Sequence, residues 1–541
     1  MGRRAPSLTA WGVVASAAVL VGWPVMAVLV RPGEGAGAAE VARLLPGAWG
    51  AALVLGQSVL VALGVGVVAT VVALPAGWVL RKRTRVGAAL VVTPLLMPGY
   101  LAYASYSTLR ENDTWLGDWL GTMPTGFNAA LGRWLAMGGV VLWAWPIAAV
   151  VLGMAFSTVS PAVLDALRLD GGGRLRRGLE VAKVCRWGLT RAVLAVGLVT
   201  LGSAVPLHLA QVETYAIALW KMLDLQAPAR AVWLAASPLV VVGVLAAWWV
   251  GQGARRGGTN GDERGVEEGA AEARLSGGGG GGGGDAWAWG LALAAGVVSV
   301  PVPVGLYGAS LRDWGLVGRF WQEHGQAVRG SLLVSAGVAG IGLVLAVFSW
   351  RGAERGATVA RWGLWVFMAA GLVPGVLIGG AWSAGWRMGV GEGLGESAWV
   401  VVMAHAARFG FVGVLAGWLL ERAEGREARE ARWLDGGDGL VGWWIGAGWP
   451  RARFVAGAAL AMAALSFHEI ESAVILQPAG TDSLARVLLD NLHYLRDQKI
   501  AAAVVNLMVG ATVVALLAGW LLAPGRRGEF TGEGAGGVRG G

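Results

Sequence analysis

Twelve runs of about twenty apolar residues, nearly free of charge, succeed one another along this chain of 541 residues. They lie near 8–30, 51–80, 86–107, 134–156, 190–211, 231–250, 286–307, 331–350, 362–384, 399–420, 452–474 and 501–522. A run of that length in lipid must satisfy its own backbone hydrogen bonds, so each is expected to be a helix, not an isolated strand. Charged residues make up only 14% of the chain, against roughly 25% in soluble domains. The expected fold is therefore all-α: a polytopic membrane protein of about a dozen transmembrane helices.

The loops set the orientation. With the N-terminus inside, the inner segments hold Arg3, Arg4 and the cluster Arg81, Lys82, Arg83 and Arg85. They carry more than twice as many Lys and Arg as the outer loops. That bias predicts both termini on the cytoplasmic side, and it accounts for the formal charge of +9 without nucleic acid as a partner. Arg3, Arg4, the first run and Ala36-Gly37-Ala38 also have the outline of a cleaved signal peptide. The run from Leu8 to Val30 exceeds the 7–15 residue core of such peptides, so it is expected to be retained. The single cysteine, Cys185, excludes an intrachain disulfide and a thiolate metal cluster.

The chain divides into a first six-span half (1–250), a cytoplasmic linker (251–285) ending in the run Gly277 to Gly284, a second six-span half (286–524) and a disordered cytoplasmic tail (525–541). The halves repeat one another. Ser58-Val59-Leu60-Val61 recurs as Ser331-Leu332-Leu333-Val334, Pro98-Gly99 as Pro374-Gly375, and Leu169-Asp170-Gly171-Gly172 as Leu434-Asp435-Gly436-Gly437. Six spans in each half give both copies the same orientation, hence a parallel repeat about an axis along the membrane normal.

After the fourth span of each half comes a long, arginine-rich cytoplasmic loop suited to short helices lying along the membrane. The second reads Glu427-Ala428-Arg429-Glu430-Ala431-Arg432-Trp433-Leu434-Asp435-Gly436, with Trp449-Pro450 ahead of the next span; the first reads Asp165-Ala166-Leu167-Arg168-Leu169-Asp170-Gly171. These loops resemble those of binding-protein-dependent ABC importer permeases, in which Glu-Ala-Ala, three residues, Gly and a later Leu-Pro recur. Glu430, Ala431 and Gly436 fall at that spacing and Pro450 one residue late. Asp165, Ala166 and Gly171 match more loosely, with Cys185 where the proline belongs. Farther on, Phe467-His468-Glu469-Ile470, Gln477-Pro478-Ala479-Gly480 and His493-Tyr494-Leu495-Arg496-Asp497 are similar to the fused, two-half permeases of the ferric-iron importer family.

The resemblance implies a type I importer transmembrane fold in a bacterial inner membrane. It also implies a cytoplasmic ATPase dimer docking on the two loops and a solute-binding protein delivering substrate, with ferric iron favoured. Small Ala permits close approach, the carboxylate meets a basic partner, and Gly lets the chain turn. None of the four lysines, Lys82, Lys183, Lys221 and Lys499, sits in a Gly-Lys-Ser/Thr phosphate loop. ATP is thus expected to be used by partner subunits, with no enzyme activity, cofactor or resident metal in this chain.

Charges inside the membrane cost about 2.5–3.5 kcal/mol each and are candidates for the substrate path. His405 and Arg408 lie one turn apart in the tenth span, and His468, Glu469 and Glu471 sit in the outer part of the eleventh. By its position in the family resembled, Glu469 is the first choice for a substrate-side carboxylate, with Tyr494 a further oxygen donor for a hard cation. The competing reading pairs Arg408 with Glu469 or Glu471 simply to hold two spans together. The rival functions are an ion-coupled secondary transporter of the major-facilitator type and a membrane scaffold. The former lacks its usual motif at Arg81-Lys82-Arg83-Thr84-Arg85 and Arg351-Gly352-Ala353-Glu354-Arg355; the latter has no need of repeated loops.

Overall fold

Where the chain supplies uninterrupted apolar residues it forms long helices, and at two of its prolines, Pro98 and Pro374, the helices break. The computed structural model describes residues 8–30, 47–81, 85–110, 114–170, 173–209, 211–225, 227–256, 286–386, 397–437, 439–476, 482–494 and 496–522, and among these all regular structure is helical. Arg3, Arg4, Ala36-Gly37-Ala38, Lys82, Arg83, Gly171, Gly172, Gln477-Pro478-Ala479-Gly480, the glycine run and the tail 525–541 lie outside the described residues.

Among the described residues, seven helices are long and apolar enough to cross a membrane: Thr9–Val30, Gly50–Leu80, Thr125–Ser157, Ala286–Ser310, Gly315–Arg355, Ala398–Ala423 and Asp497–Leu517. The number reaches ten if each of three bent pairs counts as one span. Two more of the runs read from sequence give shorter or interrupted helices. The apolar part of Ala229–Arg256 is Ala229–Leu245, and Trp449–Phe467 ends before a separate turn of helix at Glu471–Leu476. The run read at 190–211 likewise stops at Leu201 and restarts as Val205–His208.

Two of the bends have the same cause. The residue before a proline is pushed out of the helical region, and Met97 (ψ 131°) and Val373 (ψ 139°) are both extended ahead of Pro98 and Pro374. The helices on either side diverge by 74° in the first half and 109° in the second. Prolines 75, 146 and 238 lie inside helices that continue through them. Two readings need correction. The chain is helical through 351–361, which had been expected to loop, because nothing in Arg351-Gly352-Ala353-Glu354-Arg355 breaks the helix Gly315–Leu372. Helix Ala229–Arg256 also enters the first residues of the expected linker.

The first helix of each half packs on the other half. Leu8–Ala17 lies against Gly315–Leu372, and Ala286–Ser299 against Gly47–Leu80. On the second of these, Ser299 Oγ accepts a hydrogen bond from the buried Trp145 indole at 2.8 Å. The recurring serines also do the same work twice. Ser58 Oγ accepts the backbone N–H of Tyr215 at 2.8 Å, and Ser331 Oγ that of Leu484 at 2.9 Å. In each case the donor opens a short helix whose preceding residue, Thr214 or Ser483, is its N-cap.

Candidate functional site

Three helix breaks converge in the interior: Leu201/Val205, Leu372/Gly375 and Phe467/Glu471. A broken helix leaves backbone N–H groups without intrahelical acceptors, and lipid offers none. Glu471 supplies them. Its Oε1 accepts the N–H of Ala204 at 2.8 Å and its Oε2 that of Gly375 at 2.8 Å. Arg408, from the helix Ala398–Ala423, reaches Glu471 Oε2 at 3.2 Å and pairs with Glu469 Oε1. Glu469 Oε1 also accepts from the backbone N–H (3.1 Å) and the hydroxyl (3.2 Å) of Ser472. Both carboxylates are buried, and one guanidinium faces two of them, so the formal charge of the fully ionised cluster is negative.

Close approach is possible only because residue 375 is glycine: a Cβ there would run into the guanidinium of Arg408 and the carboxylate of Glu469. Gly99, its counterpart in the first half, lies instead against the indole of Trp143, which an added Cβ would meet at 3.2 Å. The two halves thus build the same close contact from different chemistry, an ion pair in one and an aromatic ring in the other.

Of the intramembrane candidates, Arg408, Glu469 and Glu471 come together. His405 adjoins them through Ser466, its Nδ1 lying 2.8 Å from the hydroxyl. His468 packs edge-on against Phe467, with ring centroids 5.3 Å apart. Tyr494 is 68% exposed, with the Arg496 guanidinium over its ring, and so stands apart from the buried cluster. Among the described residues no group of three or more His, Cys, Asp or Glu is arranged to hold a metal ion.

The second site is the pair of loops. Helix Pro161–Leu169 exposes Asp165 and Ala166; helix Arg426–Leu434 exposes Glu430 and Ala431. Leu169 and Leu434, matched in the repeat, are each 88% exposed. Gly436 ends the second helix with φ +77°, a value that favours glycine. The N–H of Gly437 then reaches the carbonyl of Arg432 at 2.8 Å and that of Gly436 the carbonyl of Trp433 at 3.3 Å, the Schellman pattern. Pro450 is the second residue of Trp449–Phe467, directly after the π turn Trp444–Gly448. Cys185, at the equivalent place, is buried at a 77° bend between Arg174–Val184 and Arg186–Leu201.

What holds the second loop was not visible in the sequence. Arg432 is buried, gripping Glu424 through two bonds of 3.0 and 3.1 Å, Glu354 at 3.0 Å and the Gly437 carbonyl at 3.1 Å. Arg429, one turn earlier, bonds the Glu421 carboxylate (2.8 Å) and backbone carbonyl (2.6 Å). Burial pushes the Glu424 carboxyl up, but the hydrogen bonds and charge of Arg432 outweigh it and hold it below the ordinary range. The only sequence signal was the spacing of the two arginines, three apart and so on one face, with Glu430 on another.

Compared with protein-family models, curated proteins and solved structures, the chain matches none, so its function has to be argued from its own geometry.

Proposed function

We propose that this chain is the membrane-spanning permease of an ATP-binding-cassette importer, with twelve crossings in two related halves and both termini in the cytoplasm of a bacterial cell. The observation that carries the reading is the twin presentation of an acid-alanine pair and a bare leucine. Asp165, Ala166 and Leu169 stand in one loop, Glu430, Ala431 and Leu434 in the other, each on a short exposed helix. Such a pair of knobs suits two identical sockets, which a dimeric ATPase provides. Closure of that dimer would rock one half against the other and switch access across the membrane. Helix breaks at matching prolines, and first helices exchanged between halves, fit a body built to move as two linked units. A solute-binding protein would deliver the substrate at the outer face, with ferric iron the favoured cargo on the resemblance of residues 467–497.

The test is copurification of the chain with an ATPase subunit, with uptake measured beside it. Glu430→Lys should retain membrane insertion while losing ATP-dependent uptake; normal uptake by that variant removes Glu430 from the coupling surface. One observation favours a second reading. A buried arginine facing two carboxylates is also what an ion-coupled secondary transporter uses. Uptake driven by a proton gradient in ATP-free vesicles would establish that alternative.

A further inference from the structure

The two loops differ in one respect that docking does not explain. From Gly439 to Pro450 the second loop has no charged residue; the matching stretch of the first, Arg174 to Cys185, has five. Val441 stands where the first half has Arg176, and Ile445 where it has Glu180. The chain is helical without interruption from Leu440 to Phe467, widening to a π turn at Trp444–Gly448. One face of its N-terminal part is buried, through Trp443, Ala447 and Gly448. The opposite face presents Val441 (73% exposed), Ile445 (66%) and Trp449 (71%), four residues apart and so in a single stripe.

The level of this stripe relative to the spans is fixed. Trp443 packs edge-on against Trp350, with centroids 4.9 Å apart, and its indole N–H donates to Glu354 at 3.3 Å. Trp350 closes the apolar run 331–350, and Glu354 lies one turn beyond it. The stripe is also continuous with the lipid-facing surface. One turn after Trp449, the Arg453 guanidinium covers Trp520 at 4.8 Å, and Trp520 continues the exposed row of Val513, Leu516 and Leu517. Tryptophans with a nearby arginine reaching over them are what a membrane–water boundary selects.

We infer that residues 440–449 form an interfacial segment whose Val441–Ile445–Trp449 stripe is buried at the headgroup–acyl boundary of the bilayer, while the first loop's counterpart stays in water. The proposal is independent of the importer reading, since it needs no partner protein. It also makes the two loops unequal: one is anchored to lipid on its far side, the other is not.

The test uses the full chain in nanodiscs of palmitoyl-oleoyl phosphatidylcholine with no other protein. In a Cys185→Ala background, nitroxide labels on Ile445→Cys, Glu180→Cys and Glu430→Cys report accessibility to oxygen and to a water-soluble nickel chelate. The oxygen-to-nickel ratio should be several-fold higher at 445 than at 180 and 430. Equal ratios at the three sites overturn the proposal, as does free nickel access at 445 that is lost only when a soluble protein partner is added. If the labelled chains fail to fold, a diazirine-bearing phosphatidylcholine applied to the unmodified chain serves instead. Adducts should map to 440–449 and not to 174–184, and equal labelling of the two segments overturns the inference.

Discussion

Glu471, in the second half, accepts the backbone N–H of Ala204, in the first, at 2.8 Å. The same carboxylate accepts from Gly375 and faces Arg408, so one side chain ties two helix breaks to a guanidinium across the two halves. Removing it leaves two buried backbone donors without their acceptor, at about 1–3 kcal/mol each. Glu471→Ala should therefore lower the melting temperature in detergent clearly more than Glu471→Gln, whose amide oxygen can still accept. Equal losses, read by scanning fluorimetry, would show that the two N–H groups contribute nothing.

Arg408 is balanced by two acids, which makes it the more costly residue to lose. Breaking a buried pair by removing one partner costs about 3–5 kcal/mol, because the other is left charged and unmatched. Arg408→Met alone should be severely destabilising, and adding Glu469→Gln should restore part of the loss. A double variant no more stable than the single would mean that the two side chains are not energetically coupled.

The repeat supplies an internal control for the glycines. At Gly375 an added methyl meets the buried ion pair, whereas at Gly99 it meets the indole of Trp143 at 3.2 Å. Gly375→Ala should accordingly destabilise more than Gly99→Ala in the same melting assay; the reverse order would contradict the packing described for both breaks.

Part of this architecture could be read in advance, for reasons specific to each element. Apolar runs announce helices because lipid leaves the backbone no other choice; the breaks at Pro98 and Pro374 were not legible, since Pro75, Pro146 and Pro238 stand in equally apolar runs whose helices continue. Ser58 and Ser331 matched in sequence and then proved to make the same bond. The intramembrane acids and Arg408 stood out because charge is rare in such surroundings. Hidden from sequence was anything made by the backbone, such as the N–H groups of Ala204 and Gly375 that occupy Glu471. Partnerships across long separations were hidden too: Arg432 with Glu354 joins a loop to a helix 78 residues away. The uninterrupted helix through 351–361 was missed because a cluster of charges reads as a loop, although charged residues are good helix formers.

Within one loop helix, Glu430 and Arg432 are two residues apart and face opposite ways, so their substitutions should separate function from stability. Glu430 is exposed, and Glu430→Lys is expected to change stability less than Arg432→Ala does. Arg432 is buried on Glu424 and Glu354, and Arg432→Ala should cost about 3–5 kcal/mol by leaving both acids unmatched. Limited proteolysis between residues 425 and 450 would report the difference: rapid cleavage for Arg432→Ala, none beyond the parent rate for Glu430→Lys.

The anchoring of that loop should also depend on pH in a defined direction. The Glu424 carboxyl is held below the ordinary range in the folded chain, so it binds protons less readily there than when unfolded. By linkage its contribution is fully present above the ordinary carboxyl value of about 4.3 and is lost as pH falls through the depressed folded value. Amide exchange in 425–450, corrected for its intrinsic pH dependence, should therefore show protection that is retained above the ordinary carboxyl value and falls on further acidification. Glu424→Gln removes the titrating group, so its loop should be less protected at neutral pH and lose less on acidification. A variant whose acid-induced loss matches that of the parent would assign the effect to another carboxylate.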